Sequence, residues 1–193
     1  MRKFALIAAF LAMPVMAQAE AHAPVDGPGP NIVIEVTGQA NGKVVIDLDT
    51  AAAPGHAARL VALARQGAYD GVVFHRVIEG FMAQTGDVEF GKVGGDVAKA
   101  GRGGSDLPDL SAEFSDIPFD RGVVGMARSQ NPNSANSQFF IMFDAGYFLN
   151  GQYTVVGRVI EGMDVVDKIK RGVGQSGSVQ APADVMATVT VVE

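Results

Sequence analysis

The sequence predicts a mainly β fold, a closed eight-stranded antiparallel barrel capped by two α-helices. Three observations predict it. About eight short apolar or alternating stretches recur between turn signals. Two segments carry the three-to-four-residue apolar spacing of a helix. The 193 residues are 48% hydrophobic and 19% charged, which suits one domain with a sizeable core and a leader.

The leader comes first. Met1-Arg2-Lys3 is followed by an uncharged run from Phe4 to Val15 and then by Met16-Ala17-Gln18-Ala19. A basic start, an apolar run of about a dozen residues and an A-x-A site match a secretory signal peptide; a bilayer span needs about twenty. Residues 1–19 are therefore taken as signal peptide, with cleavage after Ala19 or, alternatively, Ala21. Residues 20–30, rich in Gly and Pro, are a linker. Residues 31–193 form the folded domain.

Within it, 31–37 alternates apolar and polar residues, and 43–48 follows after a glycine-bounded turn, the pattern of a hairpin. Asp49 or Thr50 is placed to cap a helix with Pro54 in its first turn. Ala57, Leu60, Val61 and Ala64 share its face, and Gly67 stops it. Residues 72–78 read as a strand. The stretch 86–106 holds seven glycines in 21 residues and reads as a long exposed loop. Strands follow at 122–127, 138–143 and 154–160. A helix over 163–170 turns Val165, Val166 and Ile169 inward, and a strand at 186–192 closes the fold.

Composition excludes several chemistries. The chain has no cysteine, so it has neither disulfides nor a thiol nucleophile, and its three histidines are poor material for a metal site. A net charge of -6 argues against binding a phosphate backbone. Residues 86–93 approach a P-loop but end in Val93, without the hydroxyl that would hold magnesium. There is no G-x-S-x-G elbow and no H-E-x-x-H. A cysteine-free exported chain points to a bacterial periplasm.

Two stretches stand out. In Phe74-His75-Arg76-Val77-Ile78, strand alternation puts Phe74, Arg76 and Ile78 on one face and His75 and Val77 on the other. Such an arginine either snorkels to the surface or sits at a pocket rim, and His75 reads as structural. In Gln138-Phe139-Phe140-Ile141-Met142-Phe143, one face carries Gln138, Phe140 and Met142, and the other carries Phe139, Ile141 and Phe143. Both faces are apolar, so one faces the core and the other floors a pocket or packs under a helix. Phe81, Met82, Phe148 and Tyr153 add apolar surface suited to a peptide side chain.

Tyr69-Asp-Gly-Val-Val-Phe74-His75-Arg76-Val-Ile-Glu-Gly-Phe81-Met82-Ala-Gln84-Thr-Gly86 strongly resembles the cyclophilins, which are peptidyl-prolyl cis-trans isomerases. Gly125-Met126-Ala127, Ser134-Ala-Asn-Ser-Gln138-Phe139-Phe140-Ile141 and Phe148-Leu149 with Tyr153 extend the match. It runs from Asn31 to Glu193 and is similar to the bacterial exported branch. The resemblance implies that Arg76 is catalytic. It implies that Phe81, Met82, Gln84, Ala127, Gln138, Phe140, Phe148, Leu149 and Tyr153 bind substrate. Three positions depart from the common family pattern: Phe148 for tryptophan, Tyr153 for histidine and Arg128 for asparagine.

The resemblance further implies a monomeric enzyme acting on proline-containing unfolded or exported polypeptides. No metal, cofactor or nucleic acid is expected, nor a stable membrane insertion once the signal is cleaved. Two other readings stand beside it. One is a non-enzymatic module that holds proline-containing segments in the same groove. The other is a barrel with a small apolar ligand inside, which Phe139, Ile141 and Phe143 would obstruct.

Overall fold

The computed structural model describes residues 24–193. The signal peptide assigned to 1–19 lies outside the described residues. Ahead of the first strand, the Gly/Pro-rich segment is laid against the sheet. Gly27 N–H donates to Asp47 Oδ2 at 3.0 Å, and Leu48 N–H donates to the Pro30 carbonyl at 3.2 Å.

The first hairpin forms as its alternation dictates. Strands β1 (Asn31–Thr37) and β2 (Gly42–Leu48) pair antiparallel, with Asn31 opposite Asp47 and Val36 opposite Gly42. Ile32, Ile34 and Val36 enter the core, and Glu35 and Thr37 face outward. Buried Asp184 ties the turn to distant chain, accepting Ala40 N–H at 2.8 Å and Lys170 N–H at 2.6 Å.

Helix α1 (Pro54–Arg65) buries Ala57, Leu60, Leu63 and Ala64. Its cap is not the one expected. Asp49 Oδ1 instead accepts the N–H groups of Ala51 and Ala52, forming a turn before the helix. The unpaired N–H groups of the first turn, on Gly55 and His56, donate to the Glu113 carboxylate at 3.0 and 3.1 Å. His56 Nδ1 lies 2.6 Å from the same carboxylate. Partial burial pushes the Glu113 carboxyl up. Those hydrogen bonds outweigh it and hold the group below the usual carboxylate range.

The remaining strands are β3 (Val72–Val73), β4 (Arg76–Ile78), β5 (Met82–Thr85), β6 (Val123–Met126), β7 (Phe139–Met142), β8 (Val155–Glu161) and β9 (Val185–Val192). They form one sheet in the order β3-β9-β1-β2-β8-β6-β7-β5-β4. This is a curled half-barrel of nine strands, not the closed eight-stranded barrel expected from sequence. The expected strand over 72–78 is broken at Phe74-His75, so β3 pairs with β9 while β4 pairs with β5. Phe74 N–H donates to the Asp184 carbonyl and Val77 N–H to the Gly177 carbonyl, outside any regular ladder. The break puts both Phe74 and Val77 into the core, three positions apart, which strict alternation forbids. Arg76 therefore does not share a face with Phe74.

Strand β5 is an element that the sequence reading did not separate from its surroundings. Helix α2 is only Met163–Val166, followed by three-residue turns through Ile169, although Val165, Val166 and Ile169 are buried as expected.

Two apolar clusters result. The larger fills the curl with Ile34, Ile46, Phe74, Phe139, Ile141 and Phe143. The smaller gathers Met82, Phe119, Val123, Phe140, Met142, Leu149 and Val155, and the candidate site is built on it.

Candidate active site

Four neighbouring strands bring the site together by register. Arg76 on β4 stands opposite Gln84 on β5, Gln84 opposite Phe140 on β7, and Phe140 opposite Gly125 on β6. The row runs across the sheet from a cation through an amide to an aromatic ring. Gly125 is required by close approach: a Cβ there would collide with the Phe140 ring and lie 2.7 Å from Phe119 Cε1. With no side chain in the way, Phe119 stacks on Phe140 at 5.8 Å and 20°.

The row opens into a cavity of about 300 Å³. Met82, Phe140 and Leu149 are buried and form its floor. Tyr153 meets Phe140 edge-on at 5.9 Å, and Phe81 lies 5.5 Å from Phe148 on the rim. Phe148 is 66% exposed and follows Tyr147 in a single 3-10 turn. Ala127, Gln84 and Arg76 complete the wall. Nine of the ten residues singled out from the sequence therefore line one cavity. The tenth, Gln138, lines an adjoining cavity of about 320 Å³ and reaches the first through Gln84.

The polar groups form a directed chain. Gln138 Nε2 donates to the Gly103 carbonyl at 2.8 Å, and Gln138 Oε1 accepts from Gln84 Nε2 at 2.9 Å. Gln84 Oε1 in turn accepts from Arg76 Nη1 at 3.1 Å. Each amide is held in one orientation by the next. Arg76 Nε donates to the Ser176 carbonyl at 3.1 Å. Nη2 has no protein partner among the described residues. Burial brings the guanidinium below its ordinary pKa, and among the described residues no carboxylate pairs with it.

His75 does not join the chain. Both ring nitrogens are buried without hydrogen-bond partners. Burial pushes its pKa down to about 4, against the charge of Asp87 and with that of Arg76. The ring is neutral near pH 7, in keeping with a structural histidine.

Sequence reasoning missed three contributors. The Arg128 side chain walls the cavity, its Cζ 4.3 Å from the Tyr153 ring centre. Phe119 backs Phe140, and only the small residue at position 125 hints at that stacking. Buried Asp87 organises the glycine-rich loop, accepting the N–H groups of Glu89, Phe90, Gly101 and Gly103. Its signal was the run of glycines itself, since several backbones must approach one carboxylate closely. The sequence predicts exposure throughout 86–106; residues 93–99 are exposed, whereas Gly86, Asp87 and Gly91 are buried where the backbone closes around Asp87. Among the described residues no cluster of His, Asp or Glu could hold a metal ion.

A family model described as cyclophilin type peptidyl-prolyl cis-trans isomerase/CLD matches residues 32–191. A probable peptidyl-prolyl cis-trans isomerase of Brucella suis is 64% identical over 145 residues, covering 74% of each chain. Peptidyl-prolyl cis-trans isomerase cyp18 of Streptomyces antibioticus is 38% identical over 170 residues, covering 79% of this chain and 90% of its own. Among solved structures, cyclophilin AquaCyp293 from Hirschia baltica is similar with a TM-score of 0.69 at 28% identity, covering 86% of this chain and 74% of its own. A cyclophilin type isomerase of Cryptosporidium parvum, crystallised in the presence of the dipeptide Ala-Pro, shares the fold. Its TM-score is 0.70 at 24% identity, covering 84% of this chain and 99% of its own.

Proposed function

This chain belongs to the cyclophilin-type peptidyl-prolyl cis-trans isomerases, and we propose that it turns X-Pro bonds of exported polypeptides by noncovalent stabilisation of the twisted amide through Arg76. The bond to be turned is a tertiary amide whose resonance sets a barrier of about 20 kcal/mol, so uncatalysed exchange takes tens to hundreds of seconds. Twisting the C–N bond breaks the resonance and returns a lone pair to the prolyl nitrogen. A donor aimed at that nitrogen binds the twisted state better than either planar state, and this difference lowers the barrier. Each 1.36 kcal/mol of difference is tenfold in rate.

The observation that carries the reading is the division within one guanidinium. Nε and Nη1 are held by Ser176 and Gln84, and Nη2 is unengaged beside an apolar cavity. The prolyl ring would rest on Met82, Phe140 and Leu149, while the carbonyl side rotates past Arg76 and Gln84. Phe81, Phe148, Tyr153 and Ala127 would flank it, and Gln138 would hold the Gln84 amide. The scheme needs no nucleophile and no proton transfer. An NMR exchange assay on an Ala-Pro peptide tests it: acceleration of cis-trans exchange supports it, and binding without acceleration overturns it.

Export is proposed from Met1-Arg2-Lys3, the apolar run and the Ala17-Gln18-Ala19 site. Glu20 would then be the mature N-terminus and the periplasm the place of action. The enzyme would act as a monomer. Mass spectrometry of the secreted form tests the assignment; a chain that retains Met1 in the membrane fraction overturns it.

A further inference from the structure

The chain carries a net charge of -6, yet its cavities gather arginines that lack a carboxylate partner. Arg65, Arg121 and Arg171 are ion-paired. Arg76, Arg102 and Arg128 have no ion pair among the described residues, and all three line the proline cavity or the one beside it. Among the described residues no Asp or Glu lines either cavity. The carboxylates around them are engaged: exposed Asp109 accepts from Asn136 Nδ2 of the cavity wall at 3.0 Å. Asp87 is fully buried on backbone N–H groups, and Glu89 accepts the Gly104 N–H at 3.4 Å.

Arg128 is the divide, because it lines both cavities. Its Nε and Nη2 donate to the Gln152 carbonyl at 3.1 and 2.8 Å, and Nη1 donates to the Ser129 carbonyl at 2.8 Å. The plane stacks over Tyr153, 4.3 Å from the ring centre. These contacts fix the position of the charge without neutralising it, and one N–H of Nη2 is left over by count. Arg102 is its opposite: its side chain is exposed and makes no hydrogen bond within the described residues. A fixed cation and a free one thus line one polar cavity, whose other walls are glycine, serine and amide groups and the Ala127 methyl.

We infer that the cavity beside the proline site selects substrates with an acidic side chain within a few residues of the proline, Arg128 supplying a fixed charge and Arg102 a mobile one. The inference rests on the isomerase reading and names its preferred substrate class. The selectivity arises locally, against the charge of the whole chain, and so it weakens with salt over the Debye length.

The test uses the purified protein and a set of Ala-Pro peptides. Each carries a single Glu, Gln or Lys at one of three positions on either side of the Ala-Pro pair. At low ionic strength, at least one position is expected to favour Glu over Lys by about three- to tenfold in kcat/KM and in affinity by NMR titration. The ratio should shrink at high salt. Arg102→Glu should bring it to one or invert it, and Arg128→Gln should reduce it. Equal rates and affinities for Glu and Lys at every position would overturn the inference, as would a preference that survives both substitutions. Acid-selective binding without turnover of any peptide would overturn the isomerase reading alone. Turnover of the neutral peptide with no charge selectivity would overturn only the inference.

Discussion

Arg76 donates through Nη1 to Gln84 Oε1 at 3.1 Å, across a ladder in which the two residues are direct partners. The amide both anchors the guanidinium and, through its own Nε2, is anchored by Gln138. Removing the cation should therefore act on rate without touching the core. Arg76→Ala is expected to lower kcat/KM by about one order of magnitude or more, equivalent to at least 1.36 kcal/mol of lost stabilisation. The melting temperature should stay near that of the parent. Lysine should rescue poorly, since a point charge cannot bond Gln84 and Ser176 while leaving a donor for substrate. Parent-like turnover by the alanine variant would remove Arg76 from the mechanism.

The Gln84–Gln138 bond carries a separate expectation. Once Gln138 loses its side chain, nothing holds the Gln84 amide with Oε1 toward Arg76. Gln138→Ala should then lower kcat about two- to tenfold, the loss of about one hydrogen bond of net worth 0.5–1.5 kcal/mol. Gln138→Glu, which still offers an acceptor to Gln84 Nε2, should recover part of that loss. Peptide turnover at saturating substrate separates this effect from weakened binding. An unchanged kcat in the alanine variant would mean that Gln84 keeps its orientation unaided.

The cavity was legible in the sequence and the closure of the sheet was not, for a physical reason. Alternation in 138–143 correctly separated Phe139, Ile141 and Phe143, which fill the curl, from Phe140 and Met142, which serve the second cluster. Period-2 reasoning holds where a strand stays regular. It failed at 72–78, because the Phe74-His75 break is imposed by remote carbonyls on Asp184 and Gly177. Strand β5 has only four residues between Gly80 and Gly86, too few to show a period of its own. The α1 cap comes from Glu113, 58 positions from Gly55, and no local signature announces it. The Arg128 side chain matters because it stacks on Tyr153, a contact that neither residue's neighbours in the chain suggest.

The buried imidazole of His75 sets an expectation for pH. With its pKa pushed down to about 4, His75 is uncharged from pH 6 to 8, and Arg76 stays charged throughout, so activity should be nearly flat over that range. Stability should not be flat below it. The unfolded chain takes up a proton on this histidine near pH 6.5 and the folded chain only near 4. Its contribution is therefore fully present above about 6.5 and is lost as pH falls toward 4, by up to about 1.4 kcal/mol per pH unit. Urea unfolding at pH 7, 6 and 5 should show that decline in the parent and a shallower one in His75→Gln. Identical slopes would place the ring in contact with solvent. A bell-shaped activity profile would instead implicate proton transfer.

Gly125 offers the sharpest test of how the cavity floor is built. It faces Phe140 across the β6–β7 ladder, and the Phe140 ring lies over the space that a Cβ would need. Phe119 closes the other side, 2.7 Å from the same point. Both rings are buried, so neither can swing into solvent to make room. Gly125→Ala should force the Phe119–Phe140 stack to shift, at a cost of about 1–3 kcal/mol for overpacking. For a domain of this size that is a fall of roughly 2–4 °C in melting temperature for each kcal/mol. Because Phe140 is the floor, kcat/KM should fall with it. Substituting Phe119→Leu alongside Gly125→Ala should relieve the crowding and recover much of the stability. Recovery of activity together with stability would tie the position of Phe140 to turnover. Loss of stability with unchanged activity would show that the prolyl ring does not rest on Phe140.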